Sequence, residues 1–143
     1  MEYLHLIIDY GVLGLLFVLS LIACAVAIER WFVYRATRVA DFADRRELEL
    51  HLTNKLHFIA TIGTNAPYIG LLGTVLGIML TFATIGETGF DTARIMRGLS
   101  MALKATALGL LVAIPAVTLY NLLLRRCKVL LLQWDIQRGR EGV

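Results

Sequence analysis

The sequence predicts an all-α integral membrane protein with three transmembrane helices, and three observations carry that prediction. The chain is far more apolar than an ordinary soluble domain: 58% of its residues are hydrophobic, 17% are charged, and the mean hydropathy is +0.72. Its apolar residues gather in three runs, residues 10–28, 58–85 and 98–124. Each is close to or above the ~20 helical residues that cross a hydrocarbon core of ~30 Å. Lys and Arg are absent before the first run and concentrated in residues 29–57 and 125–143. By the positive-inside rule this places the N-terminus outside and both the 29–57 loop and the C-terminal tail in the cytoplasm. The whole chain, 1–143, reads as one three-span domain.

The first run opens after Glu2 and Asp9 and closes in Glu29-Arg30-Trp31-Phe32-Val33-Tyr34-Arg35. No basic segment precedes it and no cleavage site follows it, so Met1 onward is expected to stay as an anchor. Trp31 and Tyr34 suit the headgroup belt. Glu29 and Arg30 read as an interfacial charge pair or as a contact to a neighbouring subunit or partner.

Residues 36–57 are polar. Asp44-Arg45-Arg46-Glu47 fits a capping box, an N-cap acceptor followed three residues later by Glu, so helical extensions of the flanking spans are expected to join near Asp44. His51 and His57 are six apart, which is no helical metal-ligand spacing, and no Cys or carboxylate completes a set. No metal and no cofactor are expected. Cys24, in an apolar run, and Cys127, beside a basic cluster, fall at different depths and read as free thiols.

In the second run, Gly70, Gly73 and Gly77 clear one helical face for a close neighbour, with Gly73 and Gly77 forming a GxxxG pair. A nucleotide loop is excluded by the apolar context and the missing Gly-Lys-Ser/Thr ending. Pro67, and Pro115 in the third run, predict bends. Thr74 and Thr81 share a face, with Thr84 nearly a turn beyond; each either bonds back to its own helix or offers a hydroxyl to a neighbour.

Residues 86–96 form a short external connection, with Glu87 and Asp91 near Arg94 and Arg97, and Asp91 placed as an N-cap. The third run sets Ala102, Thr106, Gly109 and Ala113 at i, i+4, i+7 and i+11, a small-residue stripe for helix contact. Lys104 lies inside this run, where a lysine costs ~2.5–3.5 kcal/mol at mid-membrane on insertion scales. It reads either as a snorkelling lysine or as a group that pairs or gates across subunits. Val129–Trp134 continues the helix past the basic cluster.

The net charge of +3 is too slight to imply a nucleic-acid partner. No Ser/His/Asp set, carboxylate pair or metal spacing lies in the spans, so no enzyme is predicted.

Two motifs go further. Ala66-Pro-Tyr-Ile-Gly-Leu-Leu-Gly-Thr-Val-Leu-Gly-Ile-Met79 and Leu103-Lys-Ala-Thr-Ala-Leu-Gly-Leu-Leu-Val-Ala-Ile-Pro-Ala-Val-Thr-Leu-Tyr-Asn121, with Glu29-Arg30 after the first span, resemble the ExbB/TolQ family of MotA-related proton channels. The short N-terminus resembles the compact ExbB variety. The resemblance implies an inner-membrane homo-pentamer whose second and third spans line a pore around the single-span helices of an ExbD dimer. It implies that proton flow there energises a TonB-like protein for uptake of iron-siderophores or similar scarce nutrients. By motif position, Thr74 and Thr106 are the threonines that face the ExbD aspartate. Many relatives carry a glutamate five residues before the second threonine, where this chain has Met101. TolQ, which serves envelope constriction, shares both motifs. A non-conducting membrane scaffold is the reading from another class; it has no need of Thr74, Thr106 and Lys104 on small-residue helices. Between Ile59 and Asn121 the only carboxylates belong to the external loop, so any proton-carrying acid is expected from a partner chain.

Overall fold

The computed structural model describes residues 2–142; Met1, where the expected anchor begins, and Val143, the end of the basic tail, lie outside them. Among the described residues four α-helices follow one another, α1 (Glu2–Ala36), α2 (Arg45–Thr53), α3 (Leu56–Thr88) and α4 (Thr92–Arg140), with a 3₁₀ turn at Val39–Asp41. Among the described residues there is no strand. α1, α3 and α4 are each long and apolar enough to cross a membrane, which makes this a multi-pass membrane protein. Their exposed apolar side chains, among them Phe17, Leu72, Met79 and Leu111, suit lipid or another apolar helix.

The helices outrun the apolar runs that predict them. α4 has 49 residues, ~75 Å at ~1.5 Å per residue, more than twice the hydrocarbon core. Both α3 and α4 continue through Pro67 and Pro115. The connection between them shrinks to residues 89–91, where Gly89 takes a left-handed φ of 89° that favours glycine. Asp91 caps α4 by accepting from the Ala93 amide at 3.1 Å. Arg94 donates to the Thr88 hydroxyl at 3.0 Å rather than pairing with a carboxylate.

Residues 37–55 depart from the sequence expectation. The flanking spans do not extend to meet at Asp44. α1 stops, a turn follows, and α2 stands as a separate helix before Lys55 reverses the chain in the left-handed region at φ 67°. Asp44 is the N-cap, accepting from the Arg46 amide at 2.9 Å. Hydrogen bonds from Arg46, side chain first, hold its carboxyl below the usual carboxylate range. α2 is separate because its apolar residues Leu48 and Leu52 are fully buried against the bundle. They join a core with Ala23, Ala27, Tyr34, Ile59 and Leu123, and a continuous helix could not turn them inward.

Candidate functional site: the seam between α3 and α4

α3 and α4 make the largest helix–helix contact in the chain, and glycine is the reason. A Cβ built on Gly70 would lie 2.6 Å from the Ala105 carbonyl oxygen and 3.1 Å from the Thr106 Cα; one built on Gly109 would lie 2.7 Å from the Ala66 carbonyl oxygen. Those neighbours are backbone and cannot give way. Gly77 meets the Ala102 Cβ at 2.9 Å, and Gly73 meets the Ala105 Cβ at 2.7 Å and Val12 of α1 at 3.1 Å. All four glycines marked by spacing therefore sit at a close approach, and the stripe of Ala102, Gly109 and Ala113 is buried against them.

The same approach brings two hydroxyls together. Thr74, 8% exposed, has its Oγ1 3.0 Å from the Ala102 carbonyl and 3.3 Å from the carbonyl of Gly70. It is also hydrogen-bonded to the hydroxyl of Thr106, which lies 3.4 Å from the Gly70 carbonyl. Thr74 and Thr106 are thus joined across the seam, and the half-buried Thr106 opens the pair to the bundle surface. Each hydroxyl is one donor and two acceptor lone pairs, so the pair can solvate a visiting acid in either protonation state while staying neutral itself. Thr74 thus bonds both back and across, whereas Thr81 and Thr84 bond back alone, to the carbonyls of Gly77 and Leu80 at 2.8 Å each.

The remaining site residues are dispersed. Lys104 is exposed. It lies two positions from Ala102, hence on the side of α4 turned from α3, and no ion pair engages it among the described residues. Met101 is also exposed. Glu29 and Arg30 are bound inside the chain: Lys55 donates to both Glu29 carboxylate oxygens at 2.8 and 3.0 Å, and Arg30 donates to one of them at 3.1 Å. Arg30 is 4% exposed and donates to the His51 carbonyl at 3.0 Å, while its Nε has no partner among the described residues.

Sequence reasoning missed the group around that arginine. Tyr34 does not sit in the headgroup belt; it is 2% exposed and donates to the Leu52 carbonyl at 2.5 Å. The Cys127 thiol lies 3.0 Å from the Tyr34 hydroxyl and 3.4 Å from the same carbonyl. Trp134 and Arg138 of α4 both donate to the Phe42 carbonyl at 2.9 Å. Trp31 does stay outward, with Arg35 above its ring at 5.6 Å. A signal for Tyr34 was present: Ala23, Ala27, Arg30 and Tyr34 follow at i, i+4, i+7 and i+11, so the buried stripe of α1 runs on past its apolar run. Both cysteines are free, as expected, Cys24 exposed and Cys127 buried. Among the described residues no group of His, Cys, Asp or Glu could hold a metal.

Comparison of the sequence with known proteins gives its family. A family described as the MotA/TolQ/ExbB proton channel family matches residues 26–136. An ExbB-like biopolymer transport protein of Helicobacter pylori is 57% identical over 130 residues, 90% of this chain and 87% of that protein. The biopolymer transport protein ExbB of Aquifex aeolicus is 53% identical over 140 residues, 97% of this chain and 95% of its own length. The Tol-Pal system protein TolQ of Pseudomonas aeruginosa is 43% identical over 100 residues, 69% of this chain and 42% of that protein.

Proposed function

The chain belongs to the MotA/TolQ/ExbB proton channel family, and we propose that it is an ExbB-like subunit of an inner-membrane stator that turns proton flow into work on a TonB-like protein. The observation that carries this reading is the Thr74–Thr106 pair on a seam with no acid of its own. A membrane potential supplies ~2.3 kcal/mol per proton per 100 mV. Harvesting it takes a titratable group in a nearly dry pore, and the carboxylates of α3 and α4 lie only at their outer connection, Glu87 and Asp91, and at the opposite end of α4, Asp135 and Glu141. The carrier is then the carboxylate of a single-span, ExbD-like partner, two copies of which occupy the centre of a homo-pentamer. The two hydroxyls receive that carboxylate in its charged and neutral states. The N-terminus is periplasmic, and the α2 end of the bundle lies in the cytoplasm with the basic tail. The work serves uptake of scarce nutrients of the iron-siderophore type. Lys104, which no ion pair engages among the described residues, meets an acidic group of the partner or of a neighbouring subunit.

Native mass spectrometry of the protein with its co-expressed single-span partner tests the assembly. A pentamer that takes up two partner copies is the expected result; a monomer or dimer that ignores the partner overturns it. Lys104→Met is expected to weaken partner retention in the same measurement, and unchanged retention assigns the lysine to the headgroups.

A further inference from the structure

We propose that the α3–α4 seam carries a register lock, and that Thr81 with Gly98 and Val117 with Gly63 are positioning residues for the Thr74–Thr106 pair. The positioning role rests on the reading of the chain as a proton-channel subunit; the lock itself does not.

Two glycines of the seam differ from the others in what faces them. A Cβ built on Gly98 would fall on the Thr81 hydroxyl and lie 2.9 Å from the Thr81 Cγ2. One built on Gly63 would lie 2.9 Å from the Val117 Cγ2. Each glycine is a notch that receives a branched side chain from the opposite helix. The direction is reversed between them: α3 supplies the knob at Thr81 and the notch at Gly63. Gly70, Gly77 and Gly109 face only backbone or an alanine of the other helix.

The difference matters because small residues set how closely helices approach, not where they stop sliding. Glycine and alanine let backbones come together, and a surface with so little relief defines axial position weakly. A knob seated in a notch is held by the ridges on either side of it. Both knobs are β-branched, hence stiff at χ1. Thr81 is fixed further by donating to the Gly77 carbonyl at 2.8 Å, and it is buried. One knob alone would leave a pivot. Two contacts that stand 18 residues apart on α3, at Gly63 and Thr81, are separated by ~27 Å at ~1.5 Å per residue. At that spacing they fix both the axial register and the crossing angle.

The hydroxyl pair lies between the two notches. Thr74 is seven residues from Thr81 and eleven from Gly63; Thr106 is eight from Gly98 and eleven from Val117. The Thr74 hydroxyl sits 3.0 Å from the Ala102 carbonyl and the Thr106 hydroxyl 3.4 Å from the Gly70 carbonyl, each on the opposite helix. A slide by one residue's rise, ~1.5 Å, carries both beyond good hydrogen-bonding geometry. The knobs hold the two hydroxyls in register along a seam that is otherwise smooth.

Gly98→Ala and the compensating double variant Thr81→Ala/Gly98→Ala test the lock, because the added methyl enters the space that Thr81 vacates. Axial register is read as the distance between spin labels on Met79→Cys and Leu103→Cys, both exposed. The labelled chains carry Cys24→Ser, keep the buried Cys127, and are diluted among unlabelled ones. Proton flux is read on unlabelled variants reconstituted with the single-span partner, each checked as an intact oligomer by native mass spectrometry. Gly98→Ala is expected to shift or broaden the distance and to lower flux about tenfold or more. The double variant should restore both, and Thr81→Val, which keeps the branch, should change neither. If Gly98→Ala fails to assemble, Val117→Ala, which introduces no clash, is expected to broaden the distance and lower flux. The native distance in Gly98→Ala, or no recovery in the double variant, overturns the lock. A shifted distance with wild-type flux overturns the positioning role. No flux through the wild-type complex overturns the channel reading, and the lock is then decided by the distance alone.

Discussion

Two polar groups hold this molecule together, and they are built by opposite means. In the α3–α4 seam, side chains are removed. Gly70 and Gly109 bring backbones together until two threonines share a hydrogen bond, and neither threonine is charged. At the α2 end, side chains are added. Arg30, Tyr34, Cys127, Trp134 and Arg138 reach across helices to the carbonyls of His51, Leu52 and Phe42. The difference teaches where adjustment is possible. A long donor can be shortened or redirected and its carbonyl can find another partner. A glycine in backbone contact has no smaller replacement, and any larger one moves the whole helix.

Breaking the seam should therefore have the largest effect. Gly70→Leu or Gly109→Leu forces a side chain against backbone at under 3 Å and should abolish assembly of a native-sized oligomer in detergent, whereas Gly14→Leu, with nothing within 4 Å of its built Cβ, should not. A native-sized oligomer in the Gly70 and Gly109 variants would show that the seam is looser than described. The α2 end should yield by smaller steps. Tyr34→Phe leaves the Leu52 carbonyl with the Cys127 thiol alone and should cost about 1–2 kcal/mol. Hydrogen exchange should show the loss in α2, with the seam amides unchanged; equal loss in both regions would mean that they are one cooperative unit.

The smallest effect concerns the α2 cap. Asp44 has a carboxyl held below its usual range by Arg46, so its contribution is present above the unfolded carboxylate pKa. It is lost as pH falls through the lower folded value. Amide protection in the first turn of α2 should therefore weaken only on acidification, and Asp44→Asn should remove that pH dependence. A first turn equally protected at acid and neutral pH would contradict the capping role.

How much of this was legible in the sequence follows the same division. The seam could be read because small residues at helical spacing have few other uses: Gly70, Gly73 and Gly77 on one run, and Ala102, Gly109 and Ala113 on the other, all turn inward together. Thr106 was marked by its place in the small-residue stripe, whereas Thr74 was distinguished from a back-bonding threonine such as Thr81 only by motif resemblance, because spacing puts Thr74 and Thr81 on one face. The α2 end was mostly illegible. Its donors address backbone carbonyls, which carry no sequence signature, and its partners are far apart in the chain, as with Phe42 and Trp134. Arg30 and Tyr34 beside an apolar run read as an interface because most such residues face headgroups. Leu48 and Leu52, buried against the bundle, decided otherwise.

The central claim is that the paired hydroxyls serve a proton carrier rather than helix packing alone. The measurement that tests it most directly is proton flux through the complex reconstituted with its single-span partner, comparing Thr74→Val/Thr106→Val with Thr74→Ser/Thr106→Ser. Valine keeps the shape of threonine and removes the hydroxyl, at a packing cost of about 0.6 kcal/mol per interhelical hydrogen bond. The account predicts an intact oligomer in both, with flux lost about tenfold or more in the valine pair, ~1.4 kcal/mol or more in barrier, and largely kept in the serine pair. Wild-type flux through an intact valine-pair complex would contradict it and leave Thr74 and Thr106 as packing residues.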